Sequence, residues 1–184
     1  MNAKIVHNWN SVVLPGDVVY LLGDVVGPRG KNVDVLKELH GNIVFIQGNH
    51  DNKKVLGKLP NWSPRLYLNV GGFKFLLQHY PEYPRAVQDP HTPHSVSLPE
   101  DKINYSVDFI LSGHIHNNHF KRDGKQVGRL WTGRSLNLGV EVHNYTPVSL
   151  DAVLQMCRKR RRQIEFPGYK PIVPADNPDE QLDK

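Results

Sequence analysis

Short apolar runs alternate with polar, glycine-bearing clusters along most of this chain, and the alternation predicts its elements. Residues 2–13 place Ile5, Trp9, Val12 and Val13 on one side of a helix. Pro15-Gly16-Asp17 makes a turn. Val18-Val19-Tyr20-Leu21-Leu22 is then a continuous apolar run, as expected for a strand buried on both faces. Residues 32–40 predict a second helix, with Val35, Leu36 and Leu39 apolar and Gly41 as its stop. Ile43-Val44-Phe45-Ile46 is another buried-type strand. Residues 65–70 and 73–77 flank Gly71-Gly72 and predict a hairpin. Phe109-Ile110-Leu111 predicts a strand, a further hairpin turns at Asp123-Gly124, and residues 136–142 predict a last strand. Ser149 caps a helix running from Leu150 to about Arg162, with Asp151 in its first turn.

Two stretches lack any period. Residues 80–104 hold five prolines, and a loop that long inside a compact domain is functional or disordered. Beyond Phe166 the chain has four prolines and mixed charges and is expected to be extended or disordered. The expected organisation is one domain over 1–165 and a tail over 166–184.

Four of the apolar strands end in a polar cluster: Gly23-Asp24, Gly48-Asn49-His50-Asp51, Gln78-His79 and Gly113-His114-Ile115-His116. Strands alternating with helices imply an α/β fold, in which ligands bind beyond the carboxyl ends of the strands. Clusters distant in sequence can therefore meet at one edge. Singly each is weak: Gly-Asp after a strand is usually a turn, Asn-His-Asp can simply cap a helix, and a lone histidine is usually a satisfied polar residue. His114 and His116 alternate, so extended backbone would point them apart, and a bend after Gly113 is needed to bring both to one site.

Together the clusters form a coherent donor set. Asp24, Asn49, His79 and His114 offer one carboxylate, one amide oxygen and two imidazoles, with His116 as a further nitrogen. Such an oxygen and nitrogen set suits zinc, manganese, iron or nickel and not calcium, which takes oxygen alone. His50 need not bind metal and is placed to donate a proton or a hydrogen bond to a phosphoryl oxygen, with Asp51 beside it to orient or offset the imidazole.

Composition narrows the setting. An apolar fraction of 39% and a charged fraction of 22% are ordinary for a globular protein. No apolar run approaches the ~20 residues that span a bilayer, and the first ten residues lack a signal-peptide layout, so the expected location is cytoplasmic, away from membranes. Cys157 is the only cysteine, which excludes an intramolecular disulfide and cysteine-based zinc sites. The net charge of +5 invites a nucleic-acid or nucleotide partner. The excess is concentrated in Arg158-Lys159-Arg160-Arg161-Arg162, however, which reads first as a solvated helix end.

The order Gly-Asp, Gly-Asn-His-Asp, His, Gly-His-x-His resembles the calcineurin-like metallophosphoesterase superfamily. Asn8-Trp9-Asn10-Ser11-Val12-Val13 and Asn137-Leu138-Gly139-Val140-Glu141-Val142, followed by Tyr145, Pro147, Val148, Ser149 and Leu150, are similar to a bacterial and phage branch of small phosphoesterases. The likeness runs from Met1 to about Met156. It implies a four-layer sandwich of two mixed sheets flanked by helices, with two divalent metals at the strand ends. Asp24 would bridge the metals, Asn49, His79 and His114 would complete the second site, and His116 would belong to the first. His50 would contact phosphate as general acid or transition-state stabiliser while a metal-bound hydroxide attacks phosphorus.

The departures matter as much. Members of the family open with a strand carrying Asp-x-His, which supplies two ligands to the first metal. This chain lacks that N-terminal motif: Met1 falls where relatives already have the first helix, so the first strand is expected to be missing. Arg29 is a candidate phosphate anchor, and residues 80–104 match no family pattern that would give the substrate. Three readings follow: a metal-dependent phosphomonoesterase or phosphodiesterase, a metal-binding but inactive relative, and a basic nucleic-acid-binding domain with incidental histidines. The donor set argues against the third. The incomplete first site leaves one metal held well and the other poorly, unless His91, His94, His119 or His143 fills the vacancy, and it leaves a sheet edge open to the tail or to a second copy of the chain.

Overall fold

The computed structural model describes residues 2–29, 33–81, 107–116, 120–122, 125–127, 130–132 and 134–165. The proline-rich stretch from 82 onward, the turn at Asp123-Gly124, His91, His94, His119 and the tail at 166–184 lie outside them. The chain divides into two units, 1–148 and 149–184.

The first unit opens with helix α1 (Asn2–Asn10). Its apolar side buries Trp9, and Val13 is buried just beyond it. The Trp9 indole Nε1–H donates to the His40 carbonyl at 2.9 Å, and the Asn10 amide donates to Glu38 O and accepts from His40 N. Two polar side chains thus fix the helix to the segment that enters the next strand.

Strand β1 (Val18–Leu21) pairs in parallel with β2 (Asn42–Ile46), which pairs in parallel with the short β3 (Trp62–Ser63). Between them lie the single-turn helices α2 (Val33–Leu36) and α3 (Lys53–Leu56). Residues 32–40 therefore form less helix than their pattern predicts. Asn52 caps α3 by accepting from the N–H groups of Lys54 and Val55. Val26, Phe45 and Leu56 form the core of this layer, with Leu21, Val25, Ile43 and Val55 packed on it. β1 departs from the expectation of burial on both faces: it pairs on one side only among the described residues, and Val18 is 56% exposed.

The second sheet is mixed. β4 (Leu66–Val70) and β5 (Phe73–Leu77) form the hairpin that Gly71-Gly72 predicts, both glycines being at positive φ. β5 runs parallel to β6 (Phe109–Ser112). A separate two-stranded ribbon, β7 (Phe120–Arg122) with β8 (Lys125–Val127), follows. β9 (Trp131–Thr132) and β10 (Ser135–Asn137) complete the five-stranded order β4-β5-β6-β10-β9. Phe73, Phe75, Phe109 and Trp131 form a chain of ring contacts within it. The expected strand at 136–142 is cut short at Asn137, whose Oδ1 accepts the Gly139 N–H at 2.9 Å and bends the chain into a 3-10 turn over Val140–Val142. The result is an α/β fold with two sheets and flanking helices, as the strand pattern and the resemblance imply.

In the second unit, Ser149 Oγ accepts the Ala152 N–H at 3.2 Å and starts α4 (Leu150–Glu165), as its sequence predicts. Val153, Leu154 and Cys157 are buried, while Arg158, Lys159 and Arg162 are exposed. Among the described residues no helix is long and apolar enough to cross a membrane.

Candidate metal centre

β1, β2, β5 and β6 each deliver a polar side chain just past their carboxyl ends. Because β1 runs parallel to β2, and β5 to β6, the ends within each pair point the same way. The two sheets are joined there by His79, whose Nδ1–H donates to the Leu22 carbonyl at 2.7 Å. The Gly113 N–H donates to His79 O at 3.1 Å and ties β6 to the same place.

The bond to Leu22 fixes the His79 tautomer, leaving Nε2 as a bare lone pair. Around it stand Asn49 Oδ1 at 2.8 Å, His114 Nδ1 at 3.1 Å and Asp24 Oδ2 at 3.3 Å. His114 Nδ1 also lies 3.1 Å from Asn49 Oδ1. Donor atoms of Asp24, His79 and His114 all fall within 4.8 Å of one another. Four ligands bound at ~2.1 Å to a tetrahedral ion would lie ~3.4 Å apart. The four contacts given, at 2.8–3.3 Å, are slightly shorter than that figure, and lone pairs gathered this way repel unless a cation or a proton sits among them. The residues therefore fit a borderline divalent ion.

Without an ion, protons take its place. Burial opposes charge on Asp24, yet the hydrogen bond from His79 and the backbone N–H of His50 outweigh it and hold the carboxyl below the usual range. Burial likewise opposes charge on His79, and Asp24 and the Leu22 carbonyl overcome it to raise that imidazole. His114 has no such support: burial, reinforced by the charge on His79, pushes it down to about 4. A metal held there would compete with the proton at His79 and release it on loading.

The backbone is shaped for this convergence. Asp24 and His114 have φ of 58° and 64°, a region costly for side chains other than glycine. The bend expected after Gly113 is present, closed by Ile115 N–H to Gly113 O at 2.8 Å. Gly23 and Gly48 are required by close approach: a Cβ on Gly23 would strike the His79 imidazole, and one on Gly48 would strike Asp24.

Of the sequence-predicted residues, Asp24, Asn49, His79 and His114 come together and His116 does not join them. Its Nδ1 lies 2.8 Å from Glu141 Oε1, its side chain is 59% exposed, and its carbonyl accepts from buried Asn137 Nδ2. His143 is also occupied, with Nε2 at 2.9 Å from Asn137 O. His50 is exposed, and its backbone N–H donates to Asp24 Oδ1 at 2.8 Å. Asp51 is 6% exposed, and its oxygens accept the N–H groups of Asp24, Val26 and Gly48 at 2.8–2.9 Å. No hydrogen bond joins it to the His50 imidazole among the described residues. Arg29 is exposed. The sequence contains one Asp-x-His, Asp89-Pro90-His91, which sits in the proline-rich stretch and outside the described residues. Glu141 and Tyr80 were not evident from sequence. Tyr80 follows His79 directly, and its ring lies 4.5 Å from that of His114.

This fold is of the metallophosphoesterase type. The family model of the calcineurin-like phosphoesterase superfamily domain matches residues 2–143, and the chain is a member of that superfamily. It is 31% identical over 169 residues to an uncharacterized protein of Methanocaldococcus jannaschii, MJ1445, covering 86% of this chain and 76% of that one. Among solved structures it resembles AQ665 from Aquifex aeolicus, a protein of unknown function, with a TM-score of 0.59, 23% identity and 84% of each chain covered. An archaeal phosphodiesterase aligns at a TM-score of 0.41 and 17% identity over 75% of this chain and 74% of that one.

Proposed function

We propose that the protein is a metal-dependent hydrolase of phosphomonoesters or phosphodiesters. The observation that carries this reading is the gathering of Asp24 Oδ2, Asn49 Oδ1, His79 Nε2 and His114 Nδ1 around one point, in a chain of this superfamily. These four residues would hold a zinc, manganese, iron or nickel ion. When bound, such an ion polarises the phosphoryl oxygens and makes a water more acidic.

The remaining roles belong to the chain itself. Asp24 carries the negative charge that attracts the ion, and Asp51 holds the Asp24 backbone in place. His50 faces solvent beside Asn49, where it donates a proton to the departing ester oxygen as the P–O bond breaks and the water oxygen becomes bonded to phosphorus. The basic net charge favours anionic substrates, nucleotides and nucleic acids among them.

The test measures metal content together with turnover of p-nitrophenyl phosphate and bis-p-nitrophenyl phosphate. Stoichiometric metal with turnover abolished by His79→Ala supports the reading. Metal binding without turnover of either ester would identify a binding module on the same fold. That outcome has one observation in its favour, the engagement of His116 Nδ1 by Glu141 Oε1. Two tightly held ions per chain would show that further ligands are recruited.

A further inference from the structure

The two imidazoles of the centre are held in different ways. His79 is 3% exposed and anchored by its Nδ1–H on the Leu22 carbonyl, so its ring plane is fixed before any metal arrives. A ligating histidine generally has such an anchor on its second nitrogen. His114 has none: its Nδ1 faces Asn49 and His79, and no hydrogen bond to its Nε2 occurs among the described residues. It also sits on the bend after Gly113 with a φ of 64°, outside any strand, so neither ladder bonds nor a hydrogen bond on its far side orients the ring.

A ring does so instead. The Tyr80 centroid lies 4.5 Å from that of His114 with the planes tilted by 57°. The same ring meets His79 at 5.2 Å and 74°, while His79 and His114 are 4.9 Å apart at 72°. The three rings form a closed triangle of edge and tilted contacts, the geometry aromatic pairs prefer. Tyr80 is itself secured. It follows His79 just past the end of β5, and its carbonyl accepts the Gln78 Nε2–H at 2.8 Å.

We infer that Tyr80 is the positioning residue for His114, packing against the imidazole and aiming its Nδ1 at the point shared with Asp24, Asn49 and His79. The inference rests on the metal-centre reading given above. Packing, and not the phenol hydroxyl, does the positioning, so phenylalanine should serve at this place and an aliphatic residue should not.

The test uses the full chain and zinc, with affinity measured by competition against a chromogenic chelator. Tyr80→Leu should weaken zinc binding about 10-fold, the scale of losing an outer support of a metal ligand, and Tyr80→Phe should stay within about 2-fold of wild type. The visible spectrum of the cobalt form supplies a second readout: it should shift in Tyr80→Leu and not in Tyr80→Phe. A merely structural role would lower the thermal midpoint of the metal-free protein and leave that spectrum alone, which would overturn the inference. So would equal zinc affinity in Tyr80→Leu and wild type while His114→Ala binds weakly. A wild-type chain that binds no zinc would remove the metal centre itself, and the inference with it. The metal-free wild type decides the case even when Tyr80→Leu does not fold: nuclear Overhauser contacts between the Tyr80 and His114 rings are expected, and their absence refutes the packing.

Discussion

Asp51 Oδ2 accepts the backbone N–H of Asp24 at 2.9 Å, so one carboxylate holds the peptide that carries the other. The two lie 27 residues apart, at the ends of adjacent parallel strands. The same oxygen accepts Gly48 N–H, and Oδ1 accepts Val26 N–H. Asp51 thereby joins the loop after β1 to the loop after β2 and sets the distance between Asp24 and Asn49.

Replacing Asp51 with alanine leaves three backbone donors without their acceptor, two of them in buried bonds. A stranded buried donor costs ~1–3 kcal/mol, so a loss of at least ~2 kcal/mol in urea denaturation is expected from the two buried ones. Zinc affinity should fall with it. Asp51→Asn should recover only part of both, since its amide would meet a backbone N–H with another donor. Unchanged stability in Asp51→Ala would refute the clip.

His79→Ala and His114→Ala each remove a nitrogen from the candidate shell. Losing an outer support of a ligand costs ~10–100-fold in metal affinity, so losing the ligand itself should cost at least ~100-fold. Isothermal titration with zinc or manganese measures this directly. Affinities equal to wild type would place the metal elsewhere in the chain.

His50→Ala tests the proton donor. Its exposed imidazole makes no hydrogen bond to the described residues, so removal should spare both fold and metal content. Turnover of a nitrophenyl phosphoester should drop ~10²–10⁴-fold, the usual contribution of a general acid. Lost metal with unchanged turnover per bound ion would contradict the role.

Stability of the metal-stripped protein should depend on pH through three members of the site, each in its own window. The folded value of His114 is about 4 against an ordinary 6.5, so between those values the unfolded chain binds the extra proton, and stability falls as pH drops from 6.5 toward 4. Asp24 is lowered from 3.8, so its contribution is present above that value and is lost only at still lower pH. His79 is raised above 6.5 and stabilises below it, with the gain lost as pH climbs through its folded value. Thermal midpoints of wild type and His114→Asn should therefore converge as pH falls from 6.5 to 4. Parallel curves would show that His114 titrates normally.

Much of the site was legible because its four donors each end an apolar run. Asp24, Asn49 and His114 each follow a glycine after a strand, His79 follows Gln78 at the end of another, and a parallel arrangement brings such ends together. What was hidden depends on chain direction after the strand stops. Asp51 looked like a partner for the neighbouring His50, yet the turn carries its carboxylate to backbone N–H groups across the gap to Asp24. His116, expected in the first metal site and not among the four donors, has its Nδ1 beside Glu141 Oε1. Nothing in the periodicity marks that acid, which lies beyond the early end of β10 at Asn137. The two-residue strands β3 and β9 are too short to carry a period at all.

Asp24 and His114 stand at φ of 58° and 64°, where glycine rests easily and a side chain costs ~1–3 kcal/mol. Fold and chemistry therefore ask for different residues at the same positions. Under selection for heat resistance alone, these codons would drift toward glycine, and the tougher variants would be those that had discarded their donors. Asp24 and His114, kept against the preference of their own backbone, mark what the fold gives up for the site.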